Sequence, residues 1–292
     1  MCKRGELTLW FSEKAIEVWH APASPRPGGR RIYSDLAIET ALTIRSVYWL
    51  GLRQTEGFLR SVSALLGLSI RIPDHSTLSR RAKPLECLRS PSITRKGPVH
   101  LLIDRTGLKV HSGNDPSEAT TSSHRSWRKL HLSVDAGTGE ILASEVTTHR
   151  VSDSTQVREL LSQIPCALAS MTADGAYDSS SVYEAVEERC SDLPTIVVIP
   201  PRRNARMRGK PGPGQRDQTI QSIRDIGRRR WQKDSGYTRR SLVETAISRY
   251  KVLIGRRLRG RTLPTQRTEA NIACAIINKM TRLGMPDSYC AA

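Results

Sequence analysis

The chain has 292 residues, with 46 Lys and Arg against 28 Asp and Glu, a formal charge of +18 and a pI near 10.2. That length suits one large domain or two smaller ones with real cores, and the absence of an apolar run of about 18 residues excludes a spanning helix from the expectations. The opening MCKRGELTLW has no apolar stretch before a small-residue cleavage site, so no secretory signal is expected and a cytoplasmic location is.

Six scattered cysteines form no C-x-x-C pair, which points to reduced cysteines used as small core residues rather than to zinc or disulfides. The positive charge is concentrated. Between Pro201 and Arg261 there are 19 Lys and Arg against 4 Asp and Glu, which leaves only +3 for the rest of the chain. A field so localised suits a polyanion such as DNA or RNA. The basic segments lack the long apolar face that a membrane surface would need.

In chain order, residues 1–31 read as an arm and linker ending in APASPRPGGRR. Ser34 caps a predicted helix over 35–48, and a second fits 52–66 with Gly67 to stop it. In IPDHSTLSRRAKPL a third short helix, capped by Ser76, ends before Pro84. Three short helices with a basic last one suggest a helix-turn-helix-like domain over 32–90. Its candidates for DNA contact are Ser76, Thr77, Ser79, Arg80, Arg81 and Lys83.

From Val99 the period changes. VHLLID, WRKLHLSVD and GEILASEVTT read as strands, the last two joined as a hairpin. A helix over 154–163, a strand ending at Asp174, a helix over 179–189 and the buried strand LPTIVVIPP follow. This order predicts an α/β fold in which an antiparallel meander is continued by crossover strands. RRNARMRGKPGPGQRDQ (202–218) has the composition of a mobile loop within a basic insertion near 201–235.

Two acids stand at strand ends, Asp104 in LLIDRTG and Asp174 in TADGAYD. A third, Glu244, lies within GYTRRSLVETAISRYK. At ~100° per residue from Tyr237, Arg240, Glu244 and Lys251 fall at about 300°, 340° and 320°, so one acid sits within a row of cations on one helical face. Three converging carboxylates offer hard oxygens suited to Mg²⁺ or Mn²⁺, and a pair of such ions serves phosphoryl transfer. By the same residues alone, Asp104 and Asp174 are also ordinary turn formers, and Glu244 an ordinary i,i+4 partner of Arg240. Arg128 and Lys129 are placed to reach DNA from the sheet, Trp127 is read as core, and His131 as structural.

IDRTGLK, WRKLHL, ADGAYD and GYTRRSLVETAISRYK resemble the signature blocks of bacterial insertion-sequence transposases of the DDE type, in the IS-five group. That group's helix pattern of Tyr, Arg, Glu and Lys is met by Tyr237, Arg240, Glu244 and Lys251. LTLWFSEKAIEVW, PDHSTLSRRAK and LGMPDS are also similar to it. The resemblance implies an RNase H-like catalytic domain over 97–285, with Asp104, Asp174 and Glu244 as the metal triad. It implies cleavage at the 3′ ends of an element bounded by inverted repeats, then attack of each 3′-OH on target DNA. The implied partners are double-stranded DNA and a second copy of the chain in a synaptic complex. Other readings are an inactive DNA-binding regulator and a simple metal-dependent nuclease. The chain departs from the group where Arg105 follows the first Asp in place of a small residue, where HSGNDPSEATTSSH lacks a Gly-Glu-Trp-like sequence, and in a short N-terminus. Strand alternation predicts that Arg105 turns away from Asp104.

Overall fold

The computed structural model describes residues 2–22, 31–83, 85, 97–110, 127–189, 194–207 and 214–284. Contacts divide the chain into two compact units, 1–91 with 252–292, and 92–251. The first is helical. Its elements are α1 (Leu7–Trp10), α2 (Glu13–Glu17), α3 (Asp35–Val47), α4 (Leu52–Leu65) and α5 (His75–Arg81), with a long C-terminal helix, Leu263–Arg282.

The expected arm is part of this core. Trp10, Phe11 and Trp19 are buried with Ile38, Ile44, Leu59 and Leu78, because three large aromatics so near the chain start need apolar partners. Ile272, Ile276 and Met280 of the long helix pack into the same cluster. The C-terminal helix thus packs within the compact helical unit, although the sequence reading placed it at the end of a catalytic domain over 97–285. Ser34 caps α3 by accepting from the Ala37 amide at 3.0 Å, as expected.

The third helix is capped two residues earlier than expected. Asp74, not Ser76, accepts from the Thr77 amide at 2.8 Å, and Ser76 Oγ donates to the same carboxylate. A carboxylate is the stronger acceptor for an orphan helix amide, and it offers the second oxygen that Thr77 Oγ1 also uses. On α5 and just after it, Ser76, Ser79, Arg80 and Lys83 are exposed. Arg81 instead pairs with Asp35 at 2.5 Å and donates to the Tyr33 carbonyl, tying α5 to the start of α3.

The second unit is α/β. Strand β1 (Val99–Val110) pairs antiparallel with β2 (Trp127–Asp135), which pairs antiparallel with β3 (Ile141–Thr148). Then come a 3-10 turn at Ser154–Gln156, α6 (Val157–Ser162), β4 (Leu168–Ala173), α7 (Ser180–Arg189) and β5 (Ile196–Val198). Strands β4 and β5 run parallel to β1, in the order β3-β2-β1-β4-β5. A three-strand meander continued by parallel crossover strands is the RNase H-like arrangement. One face of the sheet packs Val99, Leu101, Ile103 and Met171 against Val157, Leu160, Val182 and Val186 of α6 and α7.

After β5 the chain forms α8 (Gln215–Ile226), α9 (Arg228–Asp234), a 3-10 turn at Tyr237–Arg240, and α10 (Ser241–Leu253). The expected mobile loop over 202–218 thus gives way to helix from Gln215, while 208–213 lie outside the described residues. Gln215 fixes that helix to β5. Its amide oxygen accepts from the Val197 amide at 2.8 Å and its nitrogen donates to the Thr195 carbonyl at 2.9 Å. Among the described residues no helix is long and apolar enough to cross a membrane.

Candidate active site

Asp104 sits on β1, and Asp174 follows β4 directly. Register between these parallel neighbours pairs Ile103 with Ala173, so one step further brings the two acids side by side. Asp104 is 8% exposed and accepts from the Arg105 amide at 2.8 Å. Asp174 caps the turn Gly175–Tyr177 by accepting from the Ala176 amide at 2.8 Å. Gly175 suits this position because a Cβ there would stand 3.0 Å from the Pro200 carbonyl oxygen.

Glu244 arrives from α10. The helix does not run from Tyr237 as a single α-helix. Gly236, at φ 72°, ends the preceding segment, and Tyr237–Arg240 is a 3-10 turn. In that geometry residues three apart eclipse one another. The Arg240 guanidinium accordingly lies over the Tyr237 ring, 5.9 Å from its centroid, and Trp231 packs against the same tyrosine at 6.1 Å.

The guanidinium joins two of the acids. Arg240 Nη1 donates to Asp104 Oδ2 at 2.9 Å, and Nη2 donates to Glu244 Oε1. Burial pushes the Asp104 carboxyl above the usual range, and the neighbouring Asp174 and Glu244 push it further; the Arg105 amide and Arg240 oppose this. Three acids therefore share one electrostatic neighbourhood, with the Arg240 guanidinium between two of them. Lys251, in the last turn of α10, lies seven residues beyond Glu244, ~10 Å along the axis, and stands apart from this group.

Other expected contacts are distributed differently. Arg105 does turn to the opposite face from Asp104, but it is not a bare cation there. Its Nε donates to Asp153 Oδ2 at 2.6 Å, and Lys129 Nζ donates to Asp153 Oδ1 at 2.8 Å. Lys129 is thereby committed to an internal ion pair rather than presented from the sheet. Arg128 bonds the Trp127 carbonyl at 3.1 Å. Asp153, in RVSDSTQ, carried no motif that would have singled it out; only the fold brings it behind Asp104. Beside Asp174, a cavity of about 490 Å³ is lined by Gly175, Ala176, Pro201, Arg202, Arg203 and Arg228, cations the charge count flagged only as a group.

His131 is structural in its surroundings. It is fully buried and shares a hydrogen bond with Thr147 Oγ1 at 3.0 Å. Burial lowers its pKa to about 4. The unfolded chain therefore takes up a proton between about pH 6.5 and pH 4 that the folded chain refuses, so stability falls as pH falls through that window. His131→Gln is expected to flatten the slope, sparing on the order of 3 kcal/mol of acid-induced loss, as measured by urea unfolding at pH 7 and pH 4.5.

A family model described as a transposase DDE domain matches residues 95–279, which is more than half of the chain. The chain belongs to the DDE transposase family. A second model of the same description matches residues 2–113 of the transposase. The transposase is also similar to a solved structure, the cryo-EM structure of a piggyBac transposase synaptic complex with hairpin DNA. The two share 14% identity over 94% of this chain and 73% of that one, with a TM-score of 0.41.

Proposed function

We propose that Asp104, Asp174 and Glu244 are the acids with which this transposase holds divalent metal, Mg²⁺ or Mn²⁺ and as a pair of ions, to cut the ends of an insertion sequence of the IS-five group and join them to target DNA. The observation that carries the reading is the Arg240 guanidinium spanning Asp104 and Glu244 beside Asp174: the acids are gathered round a cation already. The donor set fits a hard ion, being carboxylate oxygen without thiolate or imidazole. Among the described residues no three acids stand close enough to hold an ion as they are, which is consistent with a guanidinium lying between two of them.

When bound, such ions supply Lewis-acid stabilisation and an activated water at the phosphodiester. The chain's own residues do the rest. Asp104 on β1 and Asp174 just past the end of the adjacent β4 offer their oxygens side by side, and Glu244 closes the group from α10. Arg240 transfers its two N–H donors from the carboxylates to a phosphate of the strand being cut. Trp231 backs Tyr237, which in turn holds the guanidinium against its ring. In the first step water adds to phosphorus and the bond to O3′ breaks, leaving a 3′-OH and a 5′-phosphate. In the second, that 3′ oxygen attacks a target phosphodiester, loses its proton, and displaces the target's own 3′ oxygen.

DNA reaches the site along the basic surface. Arg202, Arg203 and Arg228 flank Asp174, while Tyr237 and Lys251 are assigned to neighbouring nucleotides. Arg80, Lys83, Ser76 and Ser79 on and just after α5 are assigned to the inverted repeats, since they form its exposed side. Arg81, Lys129 and Arg128 support these elements from within their present contacts. Joining two ends calls for two copies of the chain.

Capture of the cut 3′ end by a second plasmid in the presence of Mg²⁺ tests the whole reading. Nicking without capture would reduce the protein to a nuclease, and neither would leave a DNA-binding regulator. Because Arg240 both occupies the carboxylates and serves the phosphate, Arg240→Gln is expected to act with opposite signs. Mn²⁺ binding without DNA should tighten about tenfold, while affinity for DNA carrying the element's ends should weaken about tenfold. Calorimetry and filter binding measure the two effects.

A further inference from the structure

In the helical unit one large side chain stands where glycine is the usual choice. Helix α3 ends in a turn in which the Tyr48 amide donates to the Ile44 carbonyl at 3.0 Å and the Leu50 amide to the Arg45 carbonyl at 2.9 Å. The residue between them, Trp49, has φ 58° and is the one non-glycine residue with positive φ among the described residues. Glycine is favoured at this helix-ending position because a Cβ in the left-handed region crowds the next carbonyl. Burial does not offset the strain: Trp49 is 52% exposed, whereas Trp10, Trp19 and Trp231 are buried. Strained residues of this kind cluster at ligand contacts.

The surroundings fix the turn and supply charge. Arg259 Nη1 donates to the Leu50 carbonyl at 2.7 Å and Nη2 to the Trp49 carbonyl at 3.3 Å. A Cβ added to Gly255 would stand 3.3 Å from Trp49 Cη2, so the indole lies against bare backbone there. Arg256 and Arg257 follow that glycine directly, and both are exposed. From Gly255 to Thr268 the sequence holds five arginines and no acid. An exposed aromatic ring beside an excess of guanidinium suits a nucleobase and its flanking phosphates. A second copy of this chain, itself at +18, would bring like charge to the same place. In a duplex the faces of paired bases are covered by their neighbours, so an indole finds a stacking partner where bases are unpaired.

We infer that Trp49, with Arg256 beside it, forms a binding site for an unpaired DNA strand, in which the indole stacks on a base and the guanidinium neutralises an adjacent phosphate. The inference deepens the DNA-binding reading given above and rests on it.

The test is fluorescence anisotropy of the full-length protein at fixed salt, with a labelled oligothymidylate of about 20 nucleotides and a duplex of equal length, and urea unfolding run alongside. Trp49→Gly is expected to weaken oligothymidylate binding about tenfold and duplex binding by less than about threefold. Its urea midpoint should stay or rise, because glycine suits the left-handed turn. Trp49→Asn, which also tolerates that conformation, carries the same expectation and keeps the question answerable if the glycine variant does not fold. Trp49→Phe should bind within about threefold of the parent, yet lose most of the tryptophan quenching that the oligonucleotide causes, since the other tryptophans are buried or half-buried. Arg256→Gln should lower the slope of log affinity against log salt by ~0.7. Unchanged oligothymidylate affinity in Trp49→Gly would overturn the inference: with a lower urea midpoint the ring is structural, and with an altered oligomeric state it is a contact between copies. Equal losses on both forms of DNA would overturn it as well. Failure of the DNA-binding reading looks different, for the parent would then bind neither form.

Discussion

Glu244→Gln is expected to lower Mg²⁺-dependent nicking of a plasmid carrying the element's ends by about 10²–10³-fold, with little change in stability or DNA affinity. The substitution keeps the shape and one hydrogen-bond acceptor for Arg240, and removes only the charge. Glu244 is half exposed on its side chain, at 53%, so its pair with Arg240 contributes little to folding. Asp104→Asn should fall at least as far in activity, because its carboxylate is the more enclosed, at 12%. Equal nicking by the parent and the Gln variant, measured under initial-rate conditions, would remove Glu244 from the chemistry. Salt must be matched in the binding comparison, since affinity for a polyanion varies steeply with ionic strength.

The largest stability effect is expected at a different acid of the same ADGAYD block. Asp178 accepts a two-pronged pair from Arg216, with Nε at 2.7 Å from Oδ1 and Nη2 at 3.0 Å from Oδ2. Its side chain is 1% exposed and that of Arg216 is 17% exposed. The pair ties the chain just after Asp174 to the first turn of α8, and Arg216 also reaches the Arg206 carbonyl at 3.2 Å. Desolvating both charges is costly, so the pair adds little compared with a well-packed apolar substitute. Removing one partner is another matter, because the other stays buried without its counter-charge. Asp178→Ala is therefore expected to cost about 3–5 kcal/mol in urea unfolding. The same loss should appear in Arg216→Met only if the carboxylate, once alone, stays enclosed. A change under about 1 kcal/mol in Asp178→Ala would show that the pair is solvated in solution.

The order of strands was legible because each carries a period of two or a short apolar run, and the turns between them carry Gly, Pro or Asp. Helices α3, α4 and α5 of the first unit were legible through their caps and apolar spacing, whereas α1 and α2 lie in what read as an arm. What misled was local chemistry with two solutions. Ser76 and Asp74 both suit a helix cap, and the carboxylate prevails by taking three donors, Ser76 Oγ, the Thr77 amide and Thr77 Oγ1. GYTRRSLVET reads as continuous helix, yet Gly236 in the left-handed region and a 3-10 turn change which residues eclipse. The composition of 202–218 reads as loop, but Gln215 has two backbone partners, Val197 on β5 and Thr195 just before it, that no local window contains.

By itself the sequence determined the α/β character, the concentration of positive charge, and the spacing of four residues that lets Arg240 pair with Glu244. Those signals are local, being periodicity, composition and short motifs, and they survive without knowledge of what packs where. Tertiary structure alone decided that the C-terminal helix completes the N-terminal core, that Arg240 bridges Asp104 and Glu244, and that Asp153 pairs with Arg105. Each of these joins residues far apart in the chain, and a contact between distant residues is set by how burial and ion pairing are satisfied across the whole fold.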